Sequence, residues 1–393
     1  NYEFLKGNEM VNKLKVRASY GRTGKASFPA YAATTMYEAL FDEWYATGFG
    51  AVLKALGNNN LTWEKTDKFN VGIEMQFLNR RLTVDADYYH DKTIDLVNDV
   101  SLSQTSGFSS YKDNMGEVLN QGFELQVRGE VFRNRDWLVA LWGNMAHNKN
   151  KILKISDSQR AYNQRVKEFY ENIVNEEYGR YNSKYGVPIS QYEEGQSLTS
   201  IWAVKSLGID PTTGKEIFLN RDGSVSDTWN ATQEVAVGNT EPKFNGSIGF
   251  NAAYKQWSLF AAFQYEWGGQ EYNQTLVDRV ENARIQYQNV DLRVLTDRWK
   301  QPGDIAQFKD IKNADSATMP TSRFVQDKAY LRLSALTLSY DFNREWIKKY
   351  LGMNMLRLEA STRDFINWNS IRQERGLSYP KSWTVDFSIK AQF

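Results

Sequence analysis

Histidine is the side chain that most often moves protons or holds metals near neutral pH, and this chain of 393 residues has two, His90 and His147, with no cysteine at all. Thiolate nucleophiles, thiolate metal sites and disulfides are excluded outright. Both histidines fall near the ends of alternating segments and read as rim residues. The metalloprotease HExxH, the P-loop, the GxSxG elbow and the dinucleotide fingerprint do not occur. The phrase NRDG at 220–223 resembles the opening of a calcium loop but lacks the later carboxylates, so a turn is the better reading. Glu193 and Glu194 read as solvated loop charges. No catalytic, metal or cofactor constellation emerges, and an enzyme is not expected.

What remains is charge and aromaticity, both strictly patterned. The chain closes on WTVDFSIKAQF at 383–393, in which Trp383, Val385, Phe387, Ile389, Ala391 and Phe393 alternate with Thr384, Asp386, Ser388, Lys390 and Gln392. A period of two puts one set on each face of a β-strand. The pattern recurs over 14–20, 69–77, 82–88, 119–131, 137–145, 244–254, 257–267, 336–342 and 356–362, which makes about ten strands. One parity is apolar. The other carries Lys13, Lys15, Arg17, Glu74, Asp85, Asp87, Glu124, Arg128, Glu130, Arg357, Glu359, Arg363, Asp386 and Lys390. Charges of both signs at this density need water or a polar partner, because unpaired burial costs several kcal/mol each.

Two architectures have one greasy and one wet face. A soluble sandwich turns the greasy face inward, whereas an outer-membrane barrel turns it toward lipid and lines its lumen with the polar one. Composition is compatible with the barrel, and many soluble glycan-binding β proteins share it. Aromatic residues make up 14% of the chain, mean hydropathy is −0.60, and the longest apolar run is WLVALW at 137–142. That run is far below the roughly 18 to 20 residues of a membrane helix, while barrel strands need no such run. Connection lengths favour the barrel. Tight links at 79–81, 134–135 and 255–256 alternate with long polar segments at about 21–67, 92–116, 148–243 and 268–329. Short turns at one end and long loops at the other are expected of an outer-membrane barrel, and loops this long are uncommon in compact domains. On that alternation the first strand runs outward and Phe393 lies on the periplasmic side.

The long loops have structure of their own. Helical spacing of Tyr162, Val166, Phe169, Tyr170, Ile173 and Val174 predicts a helix within 158–182, and 274–299 predicts one or two short ones. Trp202, Trp229, Tyr272, Trp299 and Trp368 fall in presumed outer loops, where an aromatic ring can stack on a sugar or on a partner; packing within the loop assembly is the competing role. With 48 Lys and Arg against 47 Asp and Glu, the chain has no electrostatic footprint for nucleic acid.

Eight phrases in order carry a family resemblance: ASYGRTG at 18–24, NNNLTWE at 58–64 with GIE at 72–74, DYYHDKTIDLV at 87–97, NMGEVLNQGFEL at 114–125, GIDPTTGKEIF at 208–218, GNTEPKFNGSIGF at 238–250, RFVQDKAYLRLSALTLSYDF at 323–342 and Tyr379-Pro380. The chain resembles the C-terminal portion of the SusC-like (SusC/RagA) TonB-dependent outer-membrane transporters of Bacteroidetes. The resemblance implies an all-β fold: a transmembrane antiparallel barrel of about 22 strands, of which residues 1–393 supply about ten, with long outer loops containing short helices. It places the plug domain and TonB box outside this chain. It further implies active import of oligosaccharides or peptides and a SusD-like surface lipoprotein over the loops. TonB–ExbB–ExbD would pull through the plug, and two transporter–lipoprotein units would pair. Outer-membrane lipid surrounds such a barrel, and Phe393 resembles the terminal aromatic read by the barrel-assembly machinery. Substrate contacts would come from the loop aromatics and from lumen polar groups such as Arg17, Glu74, Asp87, Glu124, Arg128, Arg357, Glu359 and Arg363. The family's phrases after the penultimate strand are altered here to DFINW at 364–368 and QERGLSYP at 373–380, so the last outer loop is expected to differ. A soluble glycan-binding sandwich and a self-contained small porin stand as alternatives.

Overall fold

The computed structural model describes residues 10–26, 28–29, 31–45, 48–101, 108, 110–175, 186–283, 290–313, 318–371 and 383–393. The alternating segments form ten long strands: β1 (Val11–Lys25), β2 (Glu64–Phe77), β3 (Leu82–Ile94), β4 (Gly116–Arg133), β5 (Trp137–Ile155), β6 (Phe244–Tyr254), β7 (Trp257–Tyr272), β8 (Val325–Asp341), β9 (Met355–Thr362) and β10 (Val385–Gln392). Each pairs antiparallel with the next, and the three-residue strand Asn367–Asn369 adds to β8. The first and last strands do not pair with each other. Among the described residues these ten strands therefore do not close into a small porin, and β1 and β10 stand at the two edges of the sheet.

Among the described residues no second sheet covers the apolar side. Val16 is 66% exposed, Phe387 82% and Ile389 72%, which disposes of the sandwich reading, in which those residues would be the core. The apolar side also has two aromatic girdles. At the long-loop end Tyr88, Phe123, His147, Phe244 and Trp267 lie in one band, linked by the registers Tyr88 to Phe123, Phe123 to His147 and Phe244 to Trp267. At the other end Trp137 meets Tyr254 at 4.4 Å and Trp257 meets Tyr340 at 4.8 Å between ring centroids. Trp257 and Trp267 lie ten residue steps apart on β7. At about 3.4 Å per residue and the usual strand tilt, that span matches an apolar band about 25 Å tall.

Connections alternate as expected, with one difference. The link between β8 and β9, at the tight-turn end, holds the helix Arg344–Leu351. Asn343 caps it by accepting hydrogen bonds from Glu345 N and Trp346 N at 2.9 and 3.2 Å, and Gly352 ends it in the left-handed region, φ 67°.

The buried apolar cores belong to the outer loops. One gathers Leu276, Val277, Val280, Val294, Phe308 and Phe324; the other joins Val166 and Tyr170 to Ala231. The predicted helix within 158–182 is present as Asp157–Asn175, and its predicted residues beyond 175 lie outside the described residues, as do 373–380 with the Tyr379-Pro380 phrase. The 274–299 segment is helical at Gln274–Leu276, continues as a wider turn over Val277–Glu281, and is helical again at Arg293–Thr296.

Candidate functional site

The polar face is built from register. Arg17 stands opposite Gly72, Gly72 opposite Asp87, and Asp87 opposite Glu124. One row thus crosses four strands on a single face. Gly72 has no side chain, so Arg17 passes over β2 to Asp87, with Nε donating to Oδ1 at 3.2 Å and Nη2 to Oδ2. A Cβ on Gly72 would collide with both groups. The same device recurs between β3 and β5, where Tyr89 crosses Gly122 and its hydroxyl donates to Asn148 Oδ1 at 2.9 Å.

Glu74 pairs with Lys13, Arg357 holds Asp341 through Nε to Oδ1 at 2.6 Å and Nη2 to Oδ2 at 2.7 Å, and Lys390 Nζ donates to Glu359 at 2.9 Å. Glu124 and Arg128 share the face and are exposed. Arg363 lies just past β9 and is exposed. This wall is wet, and its charges are largely paired across strands. Phe393 follows β10 and is 80% exposed.

One feature of this face was hidden in the sequence. Trp142 shares it with Asn144 and Asn148, lies opposite Gly249, and stacks on Phe260 with centroids 6.2 Å apart and planes 14° apart. In WLVALW every residue is apolar, so parity there carries no signal; only the asparagines downstream reveal which face Trp142 takes.

The five loop aromatics do not converge. Trp202 is 1% exposed and lines, with Tyr272, Gln274 and Ser200, a cavity of about 430 Å3. Trp229 packs edge-on against Tyr170 at 5.5 Å, its Nε1 donating to Pro320 O at 2.9 Å. Trp299 is buried, donates through Nε1 to Pro211 O at 2.8 Å, and covers Gly214, where a Cβ would meet its ring at 2.6 Å. The DPTTG turn at 210–214 is therefore the seat of that tryptophan. Tyr272 packs on Phe324 at 6.0 Å, and burial pushes its hydroxyl well above the ordinary tyrosine range. Trp368 keeps an exposed ring, on the same face as its partner Leu331 rather than over the polar wall.

Charge inside the loop assembly was not anticipated. Arg323 bridges Glu216, with Nη2 to Oε2 at 2.8 Å, and Glu281, with Nη2 to Oε1 at 2.6 Å; the three side chains are 10%, 9% and 0% exposed. This bridge joins the start of β8 to two separate loop segments. A third buried acid, Glu234, receives a hydrogen bond from Gln191 Nε2, and burial pushes its carboxyl up to about 8 against the opposing pull of Gln191, Lys167 and Arg221. Burial also pushes Lys309 down to about 8. Repeated asparagines stitch the smaller loops: Asn58 Nδ2 donates to Asp113 Oδ1 at 2.8 Å, and Asn114 Nδ2 to Thr62 O at 3.0 Å and Asp95 O at 2.8 Å.

An open antiparallel meander with a girdled apolar face, a charged opposite face and loops massed at one end is part of a transmembrane barrel. Residues 8–361 match the family described as TonB dependent receptor-like, beta-barrel. The chain belongs to that family, and its place is the outer membrane. TonB-dependent receptor P3 of Formosa agariphila is 26% identical over 93% of this chain and 36% of its own length. TonB-dependent receptor SusC of Bacteroides thetaiotaomicron is 31% identical over 39% of this chain and 16% of its own. The structure of the RagAB peptide transporter matches all of this chain and 42% of its own, with a TM-score of 0.77 at 22% identity. The chain thus spans less than half the length of these relatives, and the resemblance to SusC-like proteins holds.

Proposed function

We propose that this chain supplies C-terminal strands and outer loops to a transporter that actively imports oligosaccharides or peptides across the outer membrane. The observation that carries the reading is the opposition of faces on one ten-stranded meander: exposed apolar residues between two aromatic girdles, and a cross-strand ion-paired wall behind them. The family is one of receptors and transporters rather than enzymes. Oligosaccharides and peptides both stay as substrate classes: a peptide transporter is among the structures of this fold. Contacts to substrate are proposed along the row of Arg17, Asp87 and Glu124 and at Arg128 beside Trp142. The plug and the remaining strands are proposed to come from outside residues 1–393, with a SusD-like lipoprotein over the loops, TonB–ExbB–ExbD as energy source, and pairing of two such units. Phe393 is proposed to report the finished strand to the barrel-assembly machinery.

Uptake of labelled oligosaccharides and peptides by cells carrying the complete transporter tests this. Uptake that disappears on deletion of the transporter, and on collapse of the proton-motive force, is expected for one class. Uptake indifferent to both, or a chain that stays soluble in plain buffer, would sink the proposal.

A further inference from the structure

The outward face is not evenly padded. Ala360 lies opposite Leu338 on β8 and Phe387 on β10, with Leu358 two residues before it. Its single methyl leaves a groove of about 400 Å3 among these side chains, edged by Trp257, Tyr340 and Ile389. Toward the tight-turn end the groove runs onto an aromatic ladder. Tyr340 meets Phe342 at 5.0 Å, Phe342 meets Trp346 at 6.1 Å, and Trp346 meets Tyr350 at 5.8 Å. The last two belong to the helix Arg344–Leu351, which buries Ile347 and leaves Trp346 and Tyr350 open.

Beyond the ladder the surface is cationic on balance, its exposed lysines outnumbering the exposed acids Glu345 and Asp136. Lys255, Lys348 and Lys349 are exposed, Lys255 over the Tyr254 ring at 5.2 Å and Lys349 over the Tyr350 ring at 5.3 Å. The adjoining tight turn, whose Asp136 carbonyl accepts from Lys255 N at 2.9 Å, adds Arg135. An apolar slot by itself would name no occupant. Here slot, aromatic collar and cationic rim follow one another in the order in which a phospholipid presents its acyl chain, its glycerol region and its phosphate.

We propose that this face holds a phospholipid with an anionic headgroup, drawn from the leaflet on the tight-turn side, with one acyl chain over Ala360 and the phosphate beside Lys255, Lys348 and Lys349. The inference rests on the outer-membrane barrel reading and adds a lipid site to it.

Native mass spectrometry of the complete, delipidated transporter in detergent tests it, with phosphatidylglycerol, phosphatidylcholine of the same acyl chains, and lipid A as probes. Phosphatidylglycerol should be retained in preference to the other two. Each of K255Q, K348Q and K349Q should weaken its retention about fivefold, the effect of one cation near an anionic lipid surface. A360F, which fills the slot, should reduce retention of both glycerophospholipids. Equal retention of phosphatidylglycerol and phosphatidylcholine, indifference to the lysine substitutions, or preference for lipid A would overturn the proposal. A heat-modifiable barrel with no such preference strikes this inference alone, whereas a chain absent from the membrane fraction strikes the barrel reading itself.

Discussion

Arg17 and Asp87 are two strands apart and still bonded, because Gly72 between them has no side chain to separate them. The pair lies on an open wall, so its own strength is modest, on the order of 0.2–1 kcal/mol. Gly72→Val should cost more than Asp87→Asn, about 1–3 kcal/mol, since a branched side chain must also displace both charged groups. In the Asp87→Asn background the penalty of the valine should shrink. Thermal unfolding of the four proteins in detergent, read as a double-mutant cycle, checks this; strictly additive losses would show that Gly72 and the pair are independent.

Gly122 is the harsher case. A Cβ there would overlap the His147 carbonyl oxygen and crowd the Tyr89 hydroxyl. Backbone cannot step aside as a lysine or arginine tip can. Gly122→Ala should therefore lower barrel yield and stability by about 1–3 kcal/mol, while Gly129→Ala, whose nearest neighbour is the Leu82 Cδ1 at 3.6 Å, should stay within about 0.5 kcal/mol of the parent. Heat-modifiable gel migration and unfolding temperature give the readout, and equal tolerance of both substitutions would refute the crossing role of Gly122.

These two glycines show where the sequence could be read and where it could not. Alternation exposed nearly all of the ten strands, because lipid on one side and water on the other leave a period of two along each strand. Loop lengths then ordered the ends. GIE and NQG marked glycines in strands, yet nothing local says that Arg17 or Tyr89 uses the gap, since that depends on register between segments far apart in the chain. Trp142 was lost where apolar residues filled both parities. Loop tryptophans stay two-valued in the sequence for a related reason: residue type and loop membership offer both a contact and a packing role, and do not reveal that Trp202 and Trp299 are interior to a loop assembly with its own cores.

Arg323 is expected to govern how that assembly is tied to β8. Arg323→Met removes the bridging cation and leaves Glu216 and Glu281 facing each other with little solvent. Breaking one side of a buried ion network typically costs about 3–5 kcal/mol. The loss should be local to the loops: limited proteolysis should cut residues 205–283 faster while the detergent-embedded strands keep their heat-modifiable migration. Replacing all three residues together by apolar ones of similar volume should recover much of the loss. Unchanged cleavage in Arg323→Met would remove the bridge from the account.

Glu234 predicts how the same loops respond to pH. Its carboxyl is fully buried and, chiefly through that burial, titrates near 8 when folded, whereas an unfolded glutamate titrates near 4.3. Between those values the folded loop keeps a proton that the unfolded one releases, so the unfolded state binds fewer protons and stability falls as pH rises, levelling off above about 8. The whole effect is on the order of a few kcal/mol, because each unit of displacement is about 1.4 kcal/mol. Lys309 titrates only at the top of that window and above it, in the sense that favours folding as pH rises, so it does not mimic the effect between pH 5 and 7. Hydrogen exchange across residues 186–239 should show greater protection at pH 5 than at pH 7. Glu234→Gln keeps an acceptor for Gln191 and carries no titrating proton; its protection should be the same at both pH values, and a slope that survives the substitution would assign the response to another group.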